Sequence, residues 1–429
     1  MNILKTDIDE KDSNYMYEII QSIIDECGPR MPCSPQEAQA AEIIKRELEQ
    51  VCDAVDLEPF SCNPRAFLGF LKIVIVLVFS SFILFFLIPL NLFNYWGYIM
   101  SILSFSFNLI AFLILWNEFF NYREFIDPLF KSKNSQNVIG KIYPKDDIKK
   151  ILIFSGHHDS ALQFNLLKHL KIGYPVVIFL GLIVMILWLL TSILALLLIL
   201  IGLFFFELFL LFVLILFLIG IPAFIGLLFF VSSGKKANKV PGAVDNLSAV
   251  AIVLAIGKIL KKNKELIPKN TEIRLISFGC EEAGLRGAFR YVNKHLDELE
   301  RYEAECINMD AIQSNDNITI IDFEPSTRTK HSEVVVEKII MAAKSSQIKV
   351  KASALGGSST IAKIFGQVTG GTDATAFSKA GIKAANISAM DLNKMLKFYH
   401  QPTDTLDKIE KNSLERVLKI CIAYIINES

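Results

Sequence analysis

Two histidines and an aspartate stand together at positions 157–159 of 153-IFSGHHDSALQF-164, directly after an apolar run of strand character. Acidic and imidazole side chains recur at comparable places further along. Asp245 opens a helical pattern in 241-PGAVDNLSAV-250, Glu281 and Glu282 follow 271-TEIRLISFG-279, Asp310 ends 305-ECINMD-310, and His400 lies in 398-FYHQPTDTL-406. Taken singly each is ordinary, since a strand-end aspartate commonly caps a turn and a loop histidine commonly meets solvent. Together, two imidazoles and several carboxylates suit a borderline divalent metal, zinc above all. A single catalytic zinc takes three protein ligands and keeps one position open. Five candidates from five loops suit two ions that share a carboxylate. A carboxylate left free of metal could then take a proton from an attacking water. The adjacent Glu281–Glu282 pair fits this division, because neighbouring side chains diverge: one can bind metal while the other faces substrate.

The elements that must position these groups alternate in type. Helical patterns cover 14-NYMYEIIQSIIDEC-27 and 34-SPQEAQAAEIIKRELEQV-51, the second with Ser34 as N-cap and Pro35 at the first helical position. Strand patterns cover 137–144, 150–156, 271–279, 305–312, 317–322, 348–354 and 382–388. Helices are expected at about 245–262 and 283–298, with a last amphipathic helix over 406–426. The alternation predicts an α/β fold with a largely parallel sheet and helices on both faces. Ligand sites in such sheets form where strands end.

Two blocks do not belong to that pattern. From Ile73 to Asn117 there is no charged residue, and from Ile172 to Gly234 the only one is Glu207. Each block is about twice the ~20 residues that cross a bilayer, so each reads as a helical hairpin. The expected spans lie near 68–90, 96–118, 174–200 and 206–231, with turns at 89–97 and around Gly202; Glu207 is placed at the second turn. These blocks account for the 52% hydrophobic content and much of the 33 Phe. The formal net charge is zero and no basic stripe occurs, so nucleic acid is not an expected partner. The start, 1-MNILKTDIDEKD-12, lacks an apolar signal core. The seven cysteines are scattered without a CxxC pair, so neither a zinc ribbon, nor a usable cysteine cluster, nor a disulfide framework is expected.

The ordered motifs 27-CGPRMPCSPQEAQAAEII-44, 136-QNVIG-140, 155-SGHHDSA-161, 241-PGAVDNLSA-249, 277-SFGCEEAGLRGA-288, 307-INMDAI-312 and 399-YHQPTDTL-406 resemble the M28 family of zinc aminopeptidases. The likeness covers essentially the whole chain outside the two apolar blocks. It implies a mixed sheet sandwiched by helices, two zinc ions, and hydrolysis of the peptide bond next to a free N-terminus. By the same resemblance His157 is a terminal ligand of one zinc and Asp159 orients it. Asp245 bridges both ions, Asp310 completes the first site, and Glu282 and His400 complete the second. Glu281 is the implied general base. His158 occupies the variable position of the family's His-x-Asp motif and is read as a non-ligand. Ala249 stands where the family commonly has Gly, and Ala374 where many relatives have His after the Asp; Asp373 is read as a supporting residue.

If His157 and Asp245 meet, the block between them crosses a membrane an even number of times, and its length makes that two. Four transmembrane helices in two hairpins are therefore expected, at 67–119 and 173–233, inserted into a peptidase domain formed by 1–66, 120–172 and 234–429. Arg65, Lys72, Arg123, Lys131, Lys133, Lys168, Lys171, Lys235, Lys236 and Lys239 flank the spans on the domain side, and the opposite turns carry no Lys or Arg. The positive-inside rule then faces the catalytic domain to the cytoplasm. The partners expected are the lipid bilayer and peptides with a free N-terminus. Two alternatives remain in view: a single-zinc glutaminyl-cyclase-like acyltransferase, and a non-catalytic receptor or scaffold.

Overall fold

The computed structural model describes residues 8, 10–88, 95–202, 206–234, 237–357, 366–367 and 369–428. Most of the turn expected at 89–97, the turn residues after Gly202, Lys235, Lys236 and most of the charged start lie outside them.

The chain opens with α1 (Glu10–Cys27) and α2 (Pro35–Glu49), then edge strand β1 (Ala54–Cys62). Ser34 Oγ accepts from Glu37 N at 3.1 Å, capping α2 as its sequence predicts. Two long apolar helices follow, α3 (Ala66–Leu87) and α4 (Tyr95–Leu115), before β2 (Lys133–Ile142) and β3 (Lys150–His157). A short helix α5 (Asn165–Leu170) leads into α6 (Tyr174–Leu200) and α7 (Phe206–Leu228). The remainder runs α8 (Ser248–Lys262), β4 (Thr271–Phe278), α9 (Arg286–Arg301), β5 (Glu305–Ile312), β6 (Ile318–Ile321) and a small ribbon of β7 (Phe323–Glu324) and β8 (Thr329–Lys330). It ends with α10 (Glu333–Ser345), β9 (Lys351–Ser353), α11 (Ala374–Lys379), β10 (Lys383–Ala389) and α12 (Ser413–Asn427).

The chain divides into two compact units: one of residues 1–64, 132–163 and 233–429, the other of 65–131 and 164–232. In the first, eight strands form one sheet in the order β1-β2-β4-β3-β5-β10-β6-β9. The centre is parallel (β4 with β3, β3 with β5, β5 with β10), antiparallel pairs (β1–β2, β2–β4, β10–β6) flank it, and β9 lies parallel to β6 at one edge. Side chains alternate across it with period two. Leu152 and Phe154 join the core under α1, α2, α8, α10 and α12, whereas Ile151 and Ile153 join the core under α9 and α11. The α/β class, the largely parallel sheet and the helices on both faces follow the expectation.

Three local differences have physical reasons. Strand β1 was not expected: it is a partly exposed edge strand that contains Pro59, which lacks the N–H a central strand needs. The strand expected over 348–354 is only Lys351–Ser353. The helix expected from 245 begins at Ser248, because Asp245 (φ −116°, ψ 88°) and Asn246 (φ −142°, ψ 32°) leave helical geometry.

At the end of β3, Gly156 is in close contact with α8: a Cβ placed on it would lie 2.5 Å from the Ala249 Cβ. A first side-chain atom on a buried helix cannot swing away. Gly156→Ala is therefore expected to cost about 1–3 kcal/mol of stability, read as a lower thermal midpoint, and Ala249→Gly in the same chain should recover most of it.

The second unit is built from α3, α4, α6 and α7. Three polar side chains inside it pair with one another, whereas the buried Asn108 amide has no hydrogen bond among the described residues. Ser81 Oγ donates to Ser104 O at 2.6 Å, Ser104 Oγ to Ser81 O at 2.8 Å, and Trp188 Nε1 to Ser81 Oγ at 2.9 Å. Trp188 also stacks on Phe82 with ring centroids 4.4 Å apart. Among the described residues, five helices are long and apolar enough to cross a membrane by length and composition. The fifth, Ala243–Lys262, is 94% buried and packs in the first unit. The other four present outward apolar side chains such as Val76, Ile83, Leu190 and Leu208.

Candidate active site

The carboxyl ends of β3, β4 and β5 deliver His157, the Glu281–Glu282 turn and Asp310 to one place, and the segment before α8 and the 398–406 loop add Asp245 and His400. Asp245 lies at the centre. Its Oδ1 is 3.2 Å from His157 Nε2 and its Oδ2 is 3.2 Å from His400 Nε2. Glu282 Oε1 is 3.4 Å from His400 Nε2, and Glu281 Oε2 is 3.8 Å from His157 Nε2. Two groups have donor atoms within 4.8 Å of one another: His157 with Glu281 and Asp310, and His157 with Asp245 and Glu282.

Asp159 does more than support the histidine. Its Oδ1 is 3.4 Å from His157 Nδ1, and its two oxygens accept the backbone N–H of Glu281 at 3.1 Å and of Glu282 at 3.0 Å. One carboxylate thus sets the histidine and the acidic pair together. His158 points elsewhere: its Nδ1 lies 2.9 Å from Ser277 Oγ, and burial pushes its pKa down to about 4.

The electrostatics are those of a cation site. Burial, reinforced by neighbouring carboxylates, pushes Glu281, Glu282 and Asp310 well above the usual range. Burial also works against the Asp245 carboxylate, but His157 and His400 hold it below its ordinary value. Glu282 Oε1 has no hydrogen bond among the described residues. Crowded, buried carboxylates with two imidazoles are the donor chemistry that divalent cations stabilise. The residues present fit such ions.

Residues 231–425 match the family profile Peptidase family M28. The chain is 31% identical over 194 residues to aminopeptidase YwaD of Bacillus subtilis (strain 168), a match spanning 43% of this chain and 37% of that protein. Its fold is that of BSAP, a zinc aminopeptidase from Bacillus subtilis (TM-score 0.53, 15% identity, 97% of this chain and 95% of that one). It is equally that of a glutaminyl cyclase from an Acidobacteriales bacterium (TM-score 0.54, 13% identity, 99% and 97%). The matched M28 segment holds Asp245, Glu281, Glu282, Asp310 and His400, while His157 and Asp159 precede it.

Several residues that position the candidate site escaped sequence reasoning. Asp404 accepts the N–H of Val244 at 2.8 Å and of Asp245 at 3.2 Å, and burial raises its pKa to about 8. The sequence alone assigns it no role. Arg30 is fully buried: Nε donates to His158 O at 2.9 Å and Nη2 to Gly242 O at 3.3 Å, joining the loops that carry His157 and Asp245. Burial lowers its pKa only to about 10, so it stays charged at neutral pH. Glu324 receives His331 Nε2 at 3.0 Å and Thr372 Oγ1 at 2.6 Å, and also holds Thr375. These bonds fix the loop bearing Asp373, whose oxygens are buried without a hydrogen bond among the described residues and whose pKa burial raises to about 7. The expectation of no cysteine cluster is corrected: Cys33, Cys62 and Cys280 converge, separated in sequence by 29 and 218 residues, distances that no spacing rule reads.

Asp404→Asn would turn an amide NH2 toward the N–H donors of Val244 or Asp245. The expected result is a loss of about 10- to 100-fold in metal affinity by chelator competition, with the fold retained by circular dichroism. Unchanged affinity would show that Asp245 is positioned without Asp404.

Proposed function

We propose that the protein is a membrane-anchored dizinc aminopeptidase that removes N-terminal residues from peptides. The observation that carries the reading is Asp245, whose two oxygens are shared between His157 and His400 at equal distance. A carboxylate so divided suits two ions, with Asp310 beside His157 and Glu282 beside His400. When bound, zinc supplies Lewis acidity toward the scissile carbonyl and lowers the pKa of water. Glu281 takes the proton of the attacking water and returns it to the leaving amine. Asp159 holds His157 and the backbone of Glu281 and Glu282 in register.

Both apolar segments leave the peptidase unit and return to it. Cys62 pairs with Lys133 in the β1–β2 ladder, so the intervening segment comes back to where it began. The contact of His157 with Asp245 says the same of the second segment. At ~1.5 Å rise per residue, helices of 22, 26, 27 and 22 residues each reach across ~30 Å of hydrocarbon. We therefore read four crossings in two hairpins, with Ala243–Lys262 excluded by its burial. The Lys and Arg flanks put the peptidase unit in the cytoplasm.

The test is purified full-length protein, assayed for zinc content and for turnover of an aminoacyl anilide panel before and after chelation. Two zinc ions per chain, loss of hydrolysis on chelation and its return with zinc are expected. One zinc per chain with release of pyroglutamyl product and no anilide hydrolysis would make the protein a cyclase instead.

A further inference from the structure

Three cysteines meet in the peptidase unit away from the histidines. Cys33 lies in the turn before α2, Cys62 ends β1, and Cys280 follows β4 directly before Glu281. All three are buried, and each sulfur lies 3.4 Å from both others. An equilateral triangle of that side has its centre about 2.0 Å from each corner (3.4/√3). An ion about 1.2 Å above that plane would sit at the ~2.3 Å of a metal–thiolate bond from all three sulfurs without any of them moving. A disulfide at about 2.05 Å would need one pair to close by more than an ångström and would leave the third thiol over.

The surroundings hold the triangle. The buried Glu37 carboxylate accepts Cys33 N–H at 2.7 Å with one oxygen, and Cys280 N–H at 3.0 Å and Ser135 Oγ at 2.9 Å with the other. Cys33 and Cys280 both have left-handed backbone (φ 57° and 55°), which residues other than glycine keep only where their neighbours hold them. Hydrogen bonds from Cys280 and Cys33 favour the Cys62 thiolate, whereas burial and the neighbouring sulfurs push the Cys280 thiol up and Cys33 is likewise raised. Phe60 and Ala283 close the apolar side.

We propose that Cys33, Cys62 and Cys280 form a second metal site that takes a thiophilic closed-shell cation, zinc(II) or copper(I), on three sulfurs. Soft thiolates select these ions over the hard ones that oxygen donors hold. The site ties the N-terminal segment and the end of edge strand β1 to the turn that carries Glu281 and Glu282. It is a clip behind the acidic pair and touches no substrate.

The test uses metal-free full-length protein in detergent, kept anaerobic and reduced, and titrated with cadmium(II). A sulfur-to-metal charge-transfer band should grow to one equivalent per chain; oxygen and nitrogen donors give none, so the result does not depend on the peptidase reading. Displacement by zinc(II) or by copper(I) identifies the ion the site prefers. Cys33→Ser and Cys62→Ser should each weaken cadmium binding by about a hundredfold or more, whereas Cys421→Ser, a buried cysteine elsewhere, should not. If either variant fails to fold, protection of Cys62 in the wild type from alkylation by bound metal serves in its place. Absence of the band, its persistence in both variants, or five titratable thiols on denaturation instead of all seven would overturn the proposal.

Discussion

Glu281→Gln should lower kcat by about a thousandfold and leave both metal content and KM nearly unchanged. General-base assistance is worth roughly 10²–10⁴, and glutamine keeps the shape of the side chain while removing its capacity to accept a proton. The surroundings argue that the shape will be kept. The Glu281 N–H is tied to Asp159 Oδ1 at 3.1 Å, and its carbonyl accepts from Gly284 and Leu285 at 2.8 and 2.7 Å, so the turn is held by main-chain bonds that the substitution does not touch. The side chain faces His157 Nε2 at 3.8 Å, close enough to belong to a donor group with His157 and Asp310. That proximity makes metal analysis the deciding measurement. A large loss of activity with two ions retained assigns the proton transfer to Glu281. Equal loss together with one missing ion would make Glu281 a ligand, and activity within tenfold of wild type would remove it from the reaction.

The convergence of the candidate donors was legible because they sit where chain architecture puts them. His157, Glu281, Glu282 and Asp310 follow apolar strands, and the ends of neighbouring parallel strands are close in space whatever their distance in sequence. Strands β3, β4 and β5 are adjacent in the sheet, so stretches scattered between positions 157 and 310 converge by topology alone. The residues that hold the donors left no such mark. Asp404 is four positions from His400 in a loop where an aspartate is commonplace, and its effect is exerted on the backbone of Val244 and Asp245. Arg30 acts through carbonyl groups, which have no sequence signature. The Cys33–Cys62–Cys280 triangle joins an N-terminal turn, an unexpected edge strand and the residue before the acidic pair, and the β1–β2–β4 pairing together with the Glu37 carboxylate brings its members together.

Those hidden supports bear on the helix start as well. The pattern 241-PGAVDNLSAV-250 reads as continuous helix from Asp245, yet the regular helix begins three residues later. A helical Asp245 would carry its carboxylate along the face of α8 that bears Ala249 and Ile252, into the core. Instead Asp404 takes the N–H groups of Val244 and Asp245, and Asn246 is anchored by its Nδ2 on Met309 O at 3.0 Å and by Ala311 N–H at 3.3 Å. Bonds to other parts of the unit replace those a helix would have provided, and the carboxylate is left facing both imidazoles.

Asp245→Asn should therefore be the most damaging isosteric change in the site. The aspartate stays ionised between His157 and His400, while burial pushes Glu281, Glu282 and Asp310 toward protonation. It is the charge on which both halves of the donor set are built. An asparagine can turn its oxygen to only one side and offers NH2 to the other, so it cannot be shared by two cations. Metal content is expected to fall from two ions to one or none. Lewis-acid stabilisation is worth several kcal/mol, so activity should fall by about 10³-fold or more, and excess zinc should not restore it. Asp373→Asn is the matched control: an equally buried carboxylate nearby, outside both donor groups, whose loss should leave two ions bound. The contrast with Glu281→Gln is the useful part, because one substitution abolishes turnover with the metals present and the other abolishes it by removing them. Retention of two tightly bound ions by Asp245→Asn would show that the carboxylate is not shared, and the dizinc reading would fall with it.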